Sequence, residues 1–88
     1  MKRFIRKLQR WIRRESLTFQ PQKVTPEVLW QIIQMREPLG LFYAREASHL
    51  YVGVDNGTGD AWTEDFRSLR RCKRWLLNPN LNAEGEEL

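Results

Sequence analysis

The sequence predicts an α+β fold made of an N-terminal amphipathic helix, a second helix, a three-stranded antiparallel meander and a C-terminal helix. Two observations predict it. Apolar residues recur at helical spacing in residues 1–14, after Thr25 and in residues 66–77, whereas residues 41–55 are rich in aromatic and β-branched residues around a short turn. A chain of 88 residues is long enough for one domain. We therefore expect the second and last helices to cover one face of the sheet in a single core.

Residues 1–15 predict a basic amphipathic helix as the first segment of the chain. On an ideal helix its apolar side chains fall within an arc of about 120°. These side chains are Met1, Phe4, Ile5, Leu8, Trp11 and Ile12. The opposite arc holds seven basic residues, which are Lys2, Arg3, Arg6, Lys7, Arg10, Arg13 and Arg14. Glu15 falls on the apolar stripe, so we expect the helix to end there and a linker to follow over residues 16–24.

A core domain of element order α-β-β-β-α is expected over residues 25–78. Thr25 is a good N-cap, and Pro26 suits the first position of the second helix. Pro38 ends this helix, because the residue before a proline disfavours the helical conformation. Three strands then follow in the prediction, at residues 41–46, 50–55 and 61–64.

The C-terminal helix is expected over residues 66–77, after the glycine-rich turn DNGTGD at residues 55–60. Its inner side is marked by Phe66, Leu69, Cys72 and Leu76. Its outer side carries four arginines, which are Arg67, Arg70, Arg71 and Arg74. Residues 79–88 are expected to form an acidic flexible tail.

The positive charge of the chain is concentrated at its N terminus. Residues 1–15 carry a net charge of +6, whereas residues 16–88 carry −2. This asymmetry predicts a small non-catalytic binding or regulatory protein that contacts a polyanion. Nucleic acid, either DNA or RNA, is the leading candidate partner, bound by the basic faces of the first and last helices.

The same segments also fit other interpretations. The apolar stripe that contains Trp11 fits packing on the domain itself, or a protein partner or homodimer in an adaptor, an inhibitor or a self-associating subunit. The cationic helix also fits peripheral binding at a membrane surface. The arginines of the last helix equally fit a solvated face that is partly paired to Glu64 and Asp65.

A second candidate surface lies on the predicted sheet. Strand alternation places Tyr43, Arg45 and Tyr51 on the face opposite Val52 and Val54. Exposed aromatic residues beside an arginine are suited to stacking bases or to holding a protein partner. Cross-strand packing beneath a helix or the linker is the alternative.

Nothing in the sequence predicts catalysis, and we expect no enzyme, no cofactor and no small-molecule substrate. His49 and Cys72 are the only histidine and cysteine, and one of each supplies neither a nucleophile–base pair nor a metal site. The turn at residues 55–60 does not match a calcium loop, because Gly57 and Gly59 stand where such a loop needs oxygen ligands. A tight turn between two strands is the expectation.

The chain is expected to be cytoplasmic. A single cysteine excludes an intramolecular disulfide and favours a reducing compartment. The basic residues 1–14 are not followed by the apolar run of a signal peptide, and no stretch approaches the roughly 20 apolar residues of a transmembrane segment.

Residues 40–77 resemble two groups of proteins. The strand–turn–strand followed by FRSLRRCKRWL resembles, in element order, the arm-binding domain of tyrosine-type integrases, in which the sheet enters the DNA groove. In amino-acid sequence, the chain is similar to short uncharacterised proteins of Gram-positive bacteria and their prophages, through the segment YVGVDNGTGDAWTEDF and the pattern SLxxCxxWL that follows it. The first resemblance implies DNA contact, and the second implies an origin in a mobile element.

Overall fold

The computed structural model of this chain describes residues 19–78. They form a four-stranded sheet of order β1-β2-β3-β4 and two helices. The elements are β1 (Pro21–Lys23), α1 (Pro26–Met35), β2 (Gly40–Ala47), β3 (Leu50–Asn56), β4 (Trp62–Phe66) and α2 (Leu69–Leu77). The predicted N-terminal helix over residues 1–15 and the predicted tail over residues 79–88 lie outside the described residues.

The prediction of three antiparallel strands is wrong, because a fourth strand makes the sheet mixed. Strand β1 pairs in parallel with β2 and lies inside the predicted linker, while β2, β3 and β4 are antiparallel as expected. Three residues are too few to show an alternating pattern, and Gln22 and Lys23 are polar. Pro21 stands at the first position of this edge strand, where its missing N–H is tolerated.

The prediction of one core on one face of the sheet is also wrong, since the two helices lie on opposite faces. Leu29 and Ile32 of α1 pack against four sheet residues, which are Phe42, Ala44, Val52 and Val54. On the other face, the sheet residues Leu41, Tyr43 and Phe66 pack against α2, which contributes Cys72, Trp75 and Leu76. The reason lies in β2, where residues 41–44 form a continuous apolar run, which is typical of a strand buried on both sides.

Helix α1 begins where the sequence predicted. The Thr25 hydroxyl oxygen accepts a hydrogen bond from the Val28 N–H at 3.2 Å, and Pro26 occupies the first turn. The helix ends at Met35, before Pro38, because Arg36 adopts a left-handed conformation with φ of 58° and donates its N–H to the Ile32 carbonyl.

Helix α2 begins three residues later than predicted. Ser68 is its N-cap, and the Ser68 hydroxyl accepts a hydrogen bond from the Arg71 N–H at 3.2 Å. Phe66 therefore ends β4 and is not part of the helix. Its ring still contacts the α2 core, with its centroid 5.5 Å from that of Trp75.

The predicted turn between β3 and β4 is confirmed, and the buried side chain of Asn56 organises it. The Asn56 Nδ2 donates to the Pro38 carbonyl at 2.8 Å, and Oδ1 accepts from the Ala61 N–H at 3.1 Å. Gly59 supplies the positive φ of 84° that the turn needs. Asn56 thus ties the turn to the loop between α1 and β2.

Candidate nucleic-acid interface

The outer surface of α2 is cationic because its inner surface is fixed by packing. Cys72, Trp75 and Leu76 are buried against the sheet. The helical repeat then turns the remaining positions towards solvent. The exposed basic residues of the helix are Arg70, Arg71, Lys73 and Arg74, and the exposed Arg67 precedes its N-cap. We call these five residues the α2 basic face.

The charge of the described domain is strongly divided. Residues 67–78 contain five basic residues and no acidic one. Residues 19–66 contain three basic residues and seven acidic ones. The positive charge of residues 19–78 is therefore concentrated on α2 and just before its N-cap, whereas the rest of the described domain is net negative.

The four arginines of the α2 basic face are available to a ligand. Within residues 19–78, none of their guanidinium groups donates a hydrogen bond or forms an ion pair. Glu64, one of the acidic partners considered from sequence, is buried with 4% exposure. An arginine carries five N–H donors in a planar fork that matches a phosphate group.

The α2 basic face works against the stability of its own helix. Arg70 and Arg74 are like charges at spacing i, i+4, which destabilises a helix by about 0.2–0.5 kcal/mol. Arg70 and Arg71 also lie in the first turn, where the helix dipole disfavours positive charge. Helix stability therefore does not explain this arrangement.

Lys73 is part of this surface and was missed by the sequence reasoning. Its Nζ lies 5.5 Å from the centre of the Tyr43 ring, within reach of a cation–π interaction. The signal that would have identified it is its position on the same helix, between Arg71 and Arg74, outside the buried stripe.

The three residues of the second predicted surface, Tyr43, Arg45 and Tyr51, have different environments in the structure. Tyr43 is 8% exposed beneath α2, and Tyr51 packs half-buried against the same cluster. Arg45 is exposed, and its guanidinium donates to the carbonyls of Ala47 and Ser48 at 3.2 Å each, across the hairpin turn. The geometry therefore favours the packing alternative for Tyr43, and the three side chains do not form one open surface.

The remaining predicted binding residues are those of the N-terminal segment. Lys2, Arg3, Arg6, Lys7, Arg10, Trp11, Arg13 and Arg14 lie outside the described residues. Their role as a basic helix face with an apolar anchor stays a prediction.

The side chains that most often carry chemistry are poorly placed for it. Cys72 is buried on the inner side of α2, and desolvation raises the pKa of its thiol from 9.0 to about 12, so the thiol stays protonated at neutral pH. His49 is exposed in the hairpin turn. Residues 19–78 contain no group of three side chains placed to hold a metal ion.

No protein-family model, curated protein or solved structure matches the chain. Within the described part of the chain, neither helix is long and apolar enough to cross a membrane.

Proposed function

We propose that this protein is a small non-catalytic binding protein that contacts a polyanion, either DNA or RNA, through the α2 basic face and the basic N-terminal residues. The observation that carries the proposal is the α2 basic face, because five exposed positive charges gather on one surface of an otherwise acidic domain. Their mutual repulsion opposes helix formation, and a bound row of phosphates would relieve it.

The expected mode of binding is contact with phosphate groups. Arg70 and Arg74 are one helical turn apart, so their guanidinium groups project from the same side of α2 and reach neighbouring phosphates. Such contacts position a protein on nucleic acid but carry no base information. Tyr43, the aromatic side chain beneath Lys73, is buried. We therefore expect affinity with little sequence preference.

Fluorescence anisotropy with a short DNA duplex at low salt tests the proposal. The variant Arg70→Gln/Arg74→Gln should weaken binding roughly 100- to 10,000-fold, since each of the two charged hydrogen bonds contributes about 1.5–3 kcal/mol. The control Arg36→Gln removes an exposed positive charge at the C-cap of α1, which packs on the opposite face of the sheet, and should change affinity less than about threefold. Equal losses in the two variants would contradict the proposal.

Anionic lipids are a second class of ligand that carries phosphate groups, and a binding assay with the same protein distinguishes them from nucleic acid. Anionic lipid vesicles present phosphates on a surface that also accepts apolar side chains. Co-sedimentation with such vesicles at low salt, without any affinity for duplex or single-stranded nucleic acid, would favour the membrane interpretation and contradict nucleic-acid binding.

A self-associating subunit is the second candidate function, and Trp30 of α1 favours it. Trp30 is 59% exposed and borders a groove of about 280 Å³ beside β4. The groove is lined by Leu29, Trp30, Ile33, Glu46, Val52, Thr63 and Asp65. Analytical ultracentrifugation should then show an oligomer that Trp30→Ser dissociates. A monomer across the accessible concentration range contradicts this function.

A further inference from the structure

The groove beside Trp30 is open because α1 does not extend over the edge of the sheet. Helix α1 contacts β2 and β3, and β4 is the next strand along the sheet. Thr63 and Asp65 of β4 pair with two valines that pack under α1, so their side chains lie on the same face as α1. They form one side of the groove, and Trp30 and Ile33 form the other. We call this space the α1 groove.

The lining of the α1 groove is suited to a cation with an apolar stem. Leu29 and Val52 make part of it apolar and are buried. Trp30 is 59% exposed, and an indole ring is the strongest aromatic partner for a cation. Glu46 and Asp65 also line the groove, whereas no basic residue of the described domain does. An arginine side chain combines an apolar stem with a guanidinium group that stacks on aromatic rings and binds carboxylates.

Glu46 is the unpaired carboxylate of the α1 groove. It is exposed, and within residues 19–78 it forms no hydrogen bond or ion pair. Asp65 already has an interaction in the domain and adds only negative charge to the groove. The volume of about 280 Å³ lies just below the range of about 300–1,000 Å³ that pockets for small molecules occupy. The groove therefore suits a protein side chain better than a free ligand.

The α2 basic face of the same molecule cannot reach this groove. Helix α2 packs on the opposite face of the sheet from α1, so the sheet separates its arginines from Trp30. A second copy of the chain is free of this constraint. Its Arg70 and Arg74 are one helical turn apart, with about 5–6 Å between their Cβ atoms. Their guanidinium groups have no partner inside the described domain, as is true of Glu46.

We infer that the α2 basic face of one copy docks in the α1 groove of a second copy. The guanidinium of Arg70 or Arg74 stacks on Trp30 and pairs with Glu46. The two surfaces are different, so the contact is heterologous, and a pair of copies keeps one free groove and one free basic face. This contact gives the self-associating subunit its partner and rests on that second candidate function, whereas it does not depend on nucleic acid.

Sedimentation of the full chain at low salt tests whether the two surfaces associate. The unmodified protein should associate as its concentration rises. The variants Arg70→Gln/Arg74→Gln and Trp30→Ser/Glu46→Gln should each raise the dissociation constant at least about tenfold, because each removes charge pairing or stacking from one side of the contact. An oligomer that persists in Arg70→Gln/Arg74→Gln would overturn the inference, since another part of the chain would then fill the groove.

Glu37→Gln is the matched control for the groove. It removes an exposed carboxylate in the loop after α1, outside the lining of the groove. It should change the dissociation constant less than about twofold, because exposed charges away from a contact contribute little. A loss as large as that of Trp30→Ser/Glu46→Gln would contradict a specific role for the α1 groove.

A mixture of the two double variants distinguishes a head-to-tail contact from a symmetric one. Arg70→Gln/Arg74→Gln keeps an intact groove, and Trp30→Ser/Glu46→Gln keeps an intact basic face. The mixture should therefore form a 1:1 dimer at concentrations where each variant alone is a monomer. A symmetric contact between two Trp30 side chains predicts no dimer, because one partner lacks its tryptophan. That result in a protein that self-associates would overturn the inference and leave the second candidate function standing.

The indole resonance of Trp30 shows where the second copy binds. In ¹⁵N-labelled Arg70→Gln/Arg74→Gln, addition of unlabelled Trp30→Ser/Glu46→Gln should shift this resonance. The resonance of Trp75, which is 2% exposed on the inner side of α2, should stay in place and report an intact fold. A dimer that leaves the Trp30 resonance unchanged would overturn the inference. A monomeric unmodified protein would overturn the inference together with self-association, and polyanion binding is measured separately.

Discussion

Asn56 is the polar residue on which the loops at one end of the sheet depend. It is fully buried and pairs with two backbone groups, the Pro38 carbonyl and the Ala61 N–H, that belong to different loops. The sequence predicted a turn here from its glycines, but no local pattern shows that an asparagine in a turn reaches a loop 18 positions earlier. Long-range hydrogen bonds of this kind become visible only in the fold.

Asn56→Ala is expected to lower the free energy of unfolding by about 3 kcal/mol, because it leaves two backbone groups without their partner in a buried site. Urea denaturation measures the change. Asn78→Ala is the control, since its amide donates to the Arg74 carbonyl at 2.7 Å on the exposed end of α2, and its loss should cost less than about 1 kcal/mol. Equal costs would show that Asn56 does not organise the loops.

Gly53 sets how closely α2 approaches the sheet. A Cβ atom at this position would lie 3.0 Å from the Cys72 Sγ and 3.4 Å from the Trp75 ring. Gly53→Ala should therefore destabilise the protein by about 1–3 kcal/mol through overpacking. A double-mutant cycle with Cys72→Ala, which removes the sulfur, should recover part of this loss. Strictly additive effects would contradict the close contact.

At the scale of elements, the sequence predicted those whose ends are marked by local chemistry. Thr25 and Pro26 identified the start of α1, and the aromatic and β-branched residues identified β2 and β3. Strand β1 was not predictable, because it has three residues and is stabilised by pairing with β2. Its geometry continues into Val24, whose N–H donates to the Tyr43 carbonyl at 2.9 Å. This pairing exists only after α1 has returned the chain to the sheet.

Helix α2 should be limited in stability by its own charges. Arg70→Glu creates an attractive i, i+4 pair with Arg74 and places an acid in the first turn, so it should stabilise the protein by about 1 kcal/mol. The same change should weaken polyanion binding. Thermal denaturation and anisotropy measure the two effects on one sample.

Arg74→Glu is the matched control for that prediction. It makes the same change in net charge, but its i, i+4 pair with Arg70 has the less favourable orientation, and the acid stands in the last turn, where the helix dipole disfavours it. It should weaken binding to a similar extent without raising the melting temperature. If neither variant stabilises the protein, the arginines of the α2 basic face do not oppose helix formation.

At the scale of the whole molecule, the fold places positive charge on one side of an acidic domain. The four arginines of the α2 basic face were predictable as a group, because their spacing and the buried positions between them follow the helical repeat. Packing of Tyr43 beneath a helix was one of two interpretations of the sequence. The sequence could not decide between them, because the exposure of Tyr43 depends on which face of the sheet α2 covers.

The salt dependence of binding tests the central claim most directly, because counterions are released for each phosphate that the protein contacts. The logarithm of the association constant for a DNA duplex should fall linearly with the logarithm of salt concentration, with a slope of about −0.9 per contact. Arg70→Gln/Arg74→Gln should make that slope less negative by about two, and Arg36→Gln should leave it unchanged. A slope that is identical in the unmodified protein and in Arg70→Gln/Arg74→Gln would contradict polyanion binding by the α2 basic face.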